Sequence, residues 1–171
     1  MKNVALAVSL TALLTSCAAM QPVILEQKQS FNAADVAWAD KTGTSAISGQ
    51  AFVQTNGGQP RTCAGLDVYL IPSSAYARER SELNFGSVEG GYKNAYSNRK
   101  LSDGTPMDFA NTWKKQVCDA QGNFEFSNIP AGEWYVSTSI VWTVQYVSNG
   151  GLLAKRVTVK DGEKARVILT P

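Results

Sequence analysis

The chain has no histidine among its 171 residues, only three cysteines and a net charge of +2. Without imidazole there is no ordinary general base to activate a serine or cysteine nucleophile, and Cys63 and Cys118 have no histidine with which to share a metal. The near balance of 16 basic against 14 acidic residues leaves no strong positive field for nucleic acid. Long apolar runs are missing too. The one sustained run, Val4 to Leu14, is about eleven residues, near the length of a secretory h-region and well short of the roughly 20 a spanning helix needs. Asp119, Gln121, Asn123 and Glu125 place oxygens at alternate positions, but Gly122 falls fourth where a calcium loop wants its glycine sixth, so a β-turn explains them. Glu79 with Glu82, and Asp103 with Asp108, are carboxylate pairs of the kind a glycosidase uses, yet they sit in loop sequence and read as solvated. The expectation is a chain that is not an enzyme and takes no cofactor or metal.

What is present begins at the N-terminus. Lys2, the apolar run and Leu14-Thr15-Ser16-Cys17 form an export address, in which small residues let a peptidase approach the backbone beside Cys17. The pattern resembles the bacterial lipobox, which implies cleavage after residue 16, acylation of Cys17 and attachment to a membrane outside the cytoplasm. Each buried methylene adds about 0.8 kcal/mol, so a multiply acylated Cys17 holds essentially permanently. Ala18, where an Asp tends to retain such lipoproteins at the inner membrane, points to the outer membrane. With one cysteine carrying lipid, Cys63 and Cys118 remain as a pair. An oxidising compartment favours a disulfide between them, and closing a loop of roughly 55 residues stabilises by about 4 kcal/mol; two separate buried thiols are the alternative.

Residues 17–44 are mixed and aperiodic and read as a lipidated tether, able to reach roughly 90 Å when fully extended. Phe31, Val36 and Trp38 are unusual in a linker and are expected to pack on the domain as a short edge strand or helical turn. Beyond Thr44 the hydrophobic period becomes two, with turn residues at intervals, an all-β pattern. Ile47 to Val53 forms a first strand. Gly65 to Ile71 forms another, with Leu66, Val68 and Leu70 on one face and Pro72 ending it. Asp119 to Gly122 is a tight turn into a strand carrying Phe124 and Phe126. Asn128 to Gly132 turns again before a long strand region from Trp134 to Val147. A final hairpin, Leu153 to Lys160 with Lys164 to Thr170, is expected to close through a primed turn at Asp161-Gly162.

Gly122 to Val136, a glycine turn, paired phenylalanines, a proline-glycine turn and an aromatic strand, is similar to the carboxypeptidase regulatory-like domain, the transthyretin-like sandwich related to Cna B-type repeats. Ile47 to Ala51 and Ala64 to Leu70 fit the same resemblance, which covers residues 45–171 apart from an insertion. It implies a single transthyretin-like or Ig-like β-sandwich of about seven strands without catalytic machinery. The isopeptide bond of some Cna B-type relatives is not expected, because the first strand has no lysine.

The insertion, Ser73 to Asn111, is the individual part of the chain. Ser74 to Leu83 has the look of a short helix capped by Ser73 or Ser74, followed by a Gly-, Tyr- and Asn-rich run. Such a segment is a ligand-binding loop, a cover packed over one sheet, or disordered. Tyr76, Tyr92, Tyr96, Arg78, Arg80 and Arg99 are of the types that anchor interfaces or stack on sugars. Trp113, with Trp142, is either an aromatic platform or sheet-face packing. The leading expectation is an envelope lipoprotein that braces or binds another envelope protein; the alternative is a surface module for a small ligand or glycan.

Overall fold

Alternation of buried and solvent-facing side chains assigns each strand a face and assembles two sheets around a shared interior. The structure is a computed structural model that describes residues 21–171, of which 48% are strand and 15% helix. The expected targeting segment and lipidation site, residues 1–16 and Cys17, lie outside the described residues. In chain order the strands are β1 (Val23–Leu25), β2 (Ser45–Gln54), β3 (Pro60–Thr62), β4 (Asp67–Pro72), β5 (Gly90–Asn94) and β6 (Arg99–Leu101). They continue as β7 (Lys114–Val117), β8 (Asn123–Ile129), β9 (Gly132–Val144), β10 (Val147–Val159) and β11 (Lys164–Leu169).

One sheet has five strands in the order β5-β10-β9-β4-β7. In the other, β2 is central, with β11 parallel to it and β8 and β3 antiparallel. Ile47 and Ala51 of β2, Phe124 and Phe126 of β8, and Val167 and Leu169 of β11 meet Val68, Leu70, Trp134, Val136, Ile140 and Leu153 of the five-stranded sheet. This is the expected all-β sandwich, and its apolar residues come from alternate positions because a strand turns successive side chains to opposite faces. Cys63 and Cys118 are bonded, both buried, with Cα atoms 5.7 Å apart, joining the turn after β3 to the turn before β8.

Four local expectations change. Leu66 stands just before β4 and is 37% exposed, so the buried face of that strand begins at Val68. The region from Trp134 to Val147 is divided by a two-residue turn, in which Gln145 and Tyr146 have φ of 46° and 68°, the double positive φ of a type I′ hairpin. The last two strands do not form a hairpin. β10 stays in the five-stranded sheet while β11 crosses to pair with β2, and of the two turn residues only Gly162 has positive φ, which suits a type II turn rather than a primed one. Finally, residues 23–44 are laid along the domain. β1 pairs parallel with β6, and a 3-10 helix at Ala33–Asp40 buries Val36 and Ala39. Trp38 meets Trp134 edge-on at 4.8 Å. The apolar residues that looked out of place in a tether have found partners, so the reach of a free chain does not apply to this part.

Candidate functional site

The insertion folds back over the outer face of the five-stranded sheet. Helix α1 (Ala75–Phe85) begins where Ser74 Oγ accepts from the Ala77 amide at 3.1 Å and ends at Gly86, whose φ of 75° forms a left-handed cap. β5 then joins the sheet beside β10, and the short helix α2 (Met107–Ala110) delivers Phe109 beneath the cover. Tyr76 and Ala77 of α1, Phe109, and Tyr135 of β9 form a second buried cluster, with Phe31, Ile71 and Trp113 against it. Phe109 makes edge contacts at 4.8 Å to Tyr76 and 5.3 Å to Trp113, and Phe31 reaches it at 5.3 Å. Pairs of this geometry contribute about 0.5–1.5 kcal/mol each beyond their burial. The N-terminal segment therefore helps to hold the cover.

Charge pairing reinforces the packing. Arg80, 8% exposed, donates to both Asp103 carboxylate oxygens at 3.0 and 3.1 Å, to the Tyr76 hydroxyl at 3.0 Å, and to Gly104 O and Thr105 Oγ1. Burial pushes the Tyr76 phenol up to about 12, aided by its hydrogen bond to Asp103. Burial also raises the Asp103 carboxyl, but hydrogen bonds from Tyr76 and Arg80 and the Arg80 charge outweigh it, leaving it below the usual range. Glu133 at the start of β9 accepts from Ser73, Arg78 and Arg156, and is lowered first by the Ser73 bond and then, against its burial, by the two guanidinium groups.

Between cover and sheet a cleft of about 520 Å³ remains open, within the roughly 300–1,000 Å³ of typical small-ligand sites. Tyr69, Ser137, Ser139 and Leu152 form its floor, and Asn84, Phe85 and Thr105 belong to the cover. Trp113 stands at its side with a buried Nε1 that has no hydrogen-bond partner. Lys93 of β5 donates to Asn84 Oδ1 at 2.9 Å; burial, with Arg99 and Arg80 nearby, pulls its ammonium below the usual lysine range. Burial and a hydrogen bond to Asp67 raise the Tyr69 phenol. Among the described residues no group of His, Cys, Asp and Glu is placed to hold a metal. The cleft sets aromatic faces beside hydrogen-bond donors.

No family model matches the chain, and no curated protein matches it. Among solved structures, a Pseudomonas aeruginosa protein described as a "putative carbohydrate binding protein" superposes with a TM-score of 0.67 at 23% identity, over 84% of this chain and 99% of that one. The sandwich fold is shared. The major pilin subunit BcpA of Bacillus cereus matches at a TM-score of 0.34 and 12% identity, over 76% of this chain and 30% of that one, too low for an argument.

Within this sandwich the sequence-selected residues scatter. Arg80, Arg99 and Trp113 line the cleft. Tyr76 is buried in the packing that holds the cover, and Arg78 lies in the Glu133 network. Tyr92 faces the core and donates to Gly150 O at 2.7 Å, whereas Tyr96 is 70% exposed in the turn between β5 and β6. Tyr69, Asn84, Phe85, Lys93, Lys100, Ser137 and Ser139 were not singled out. For Ser137 and Ser139 a signal exists, since they alternate with the core residues of β9. The lysines have no local pattern that marks them.

Proposed function

We propose that this protein is a non-catalytic, saccharide-binding module of the bacterial envelope, lipid-anchored at Cys17 and loaded through the cleft beneath the insertion. The observation that carries the reading is the cleft itself: the half-buried rings of Tyr69, Phe85 and Trp113 beside the polar side chains of Asn84 and Ser139. A pyranose has apolar C–H faces and a rim of hydroxyls, so it needs both kinds of surface at once. The description of the P. aeruginosa neighbour supports this reading over bracing of another protein. Isothermal titration and thermal unfolding against a panel of envelope saccharides test it. A ligand at 100 times its Kd should add about 2.7 kcal/mol, and Trp113→Ala should abolish that gain; a panel without any stabilising sugar would count against the reading.

A specific observation favours a second role. At the β9–β10 tip Val141, Val144 and Val147 are about half exposed and Tyr146 is fully exposed, an apolar protrusion of the kind that contacts a partner protein. If it braces an envelope protein, Val144→Ser with Tyr146→Ser should remove the crosslinked partner and leave saccharide binding intact.

A further inference from the structure

The cleft is cationic in a way its size and aromatic lining do not require. Arg80, Lys93, Arg99 and Lys100 all line it, and no aspartate or glutamate does among the described residues. Two acids bond side chains of lining residues from outside the cleft: Asp103 is committed to Arg80 and Tyr76, and Asp67 to Tyr69 and Lys115. Lys93 has only the neutral oxygen of Asn84, and neither Arg99 nor Lys100 has a carboxylate partner among the described ion pairs. A half-buried ammonium without a counter-charge is costly unless something supplies one. The unmet groups of the cleft are thus charged donors. They ask for a ligand rich in acceptor oxygens and carrying negative charge.

We infer that the ligand is an acidic saccharide, a sugar whose carboxylate or phosphate sits between Lys93 and the Arg99–Lys100 strand while its ring lies against Trp113 and Tyr69. This rests on the saccharide reading above and adds the charge. Lys93 is the central contact because it reaches the cleft from the sheet, opposite Leu152 of β10, with its position fixed by the ladder. Arg99 and Lys100 lie on β6, which is itself held by pairing with β1. A rigid floor cation and two rim cations favour an anion at one end of the sugar.

The test is calorimetric titration of the full-length protein with four probes at low and moderate salt: a galacturonic acid oligomer, the matching neutral galactose oligomer, glucose 6-phosphate and inorganic phosphate. The expected result is that an acidic sugar binds about tenfold or more tighter than the neutral oligomer, the worth of a charge-assisted hydrogen bond. That preference should shrink with salt, fall by about tenfold in Lys93→Gln, and return in Lys93→Arg. Lys100→Gln, on the exposed rim, gives a smaller loss of the same sign and guards against misfolding of the Lys93 variant. Preference for the uronate or for the sugar phosphate tells the two anionic groups apart, and either supports the inference. Equal binding of neutral and acidic oligomers overturns the charge inference while leaving the saccharide reading intact. Inorganic phosphate binding as tightly as the sugars overturns the saccharide component, and no binding by any probe overturns both.

Discussion

Single residues in the cover are held by charge, and that charge is open to acid. The carboxyls of Asp103 and Glu133 both titrate below their ordinary range. A carboxyl with a depressed folded pKa contributes stability that is fully present above its unfolded pKa, about 4, and is lost as pH falls through the folded value. Thermal unfolding should therefore change little between pH 7 and about 5 from these groups and weaken below about 4. Asp103→Asn with Glu133→Gln should be less stable at neutral pH and show a flatter acid limb. An unchanged acid limb in that variant would mean the two ion networks do not fasten the cover. The Trp113 side chain is held by packing alone: its buried Nε1 has no protein partner, a cost offset by its edge contacts with Tyr69 and Phe109.

At the scale of elements, the N-terminal segment is tied to the sandwich at identifiable points. Gly132 opens β9 with φ of 155°, and a Cβ there would come within 2.3 Å of the Trp38 ring. Gly132→Ala should cost about 2 kcal/mol by forcing Trp38 off Trp134, read by denaturation and tryptophan fluorescence. In a Trp38→Ala background the same change should cost less, since the two sites share one contact. The Cys63–Cys118 bridge closes a separation of 55 residues around β4, the insertion and β7. Replacing both with Ala should lower stability by about 4 kcal/mol on the chain-entropy account, and a reductant should reproduce most of that loss in the unmutated protein.

For the whole molecule, the proposed anchor and the proposed cleft assign different tasks to different ends of the chain. Cys17→Ser should move the protein from the membrane fraction to the soluble fraction without changing saccharide affinity, as measured by sedimentation and titration on the same preparation. Sedimentation unchanged by the substitution would remove the lipid from the model of function. Residues 23–44 link these tasks physically, since β1 supports β6 with its rim cations and Phe31 packs into the aromatic cluster under the cover. Damage to the N-terminal segment should thus reach the cleft.

The sequence alone determined most of the strand faces and narrowed Cys63 and Cys118 to a bridge or two buried thiols, between which the 5.7 Å Cα separation decided. Val68 and Leu70, Phe124 and Phe126, and Trp134 and Val136 are all buried where the alternation of two placed them, because a pleated strand permits no other division. The helix after Ser74 was equally legible from its cap. Only tertiary structure decided that β11 leaves β10 for the other sheet, since alternation states which residues share a face and is silent on which strand lies alongside. It likewise decided that Tyr135 would be buried and Ser139 would floor a cleft, because their outward face is covered by residues some sixty positions earlier in the chain. Lys93, Arg99 and Lys100 are ordinary surface cations when read in line. Pairing of β5 with β10 and of β6 with β1 gathers them at one opening without a carboxylate, and a property of that kind exists only in three dimensions.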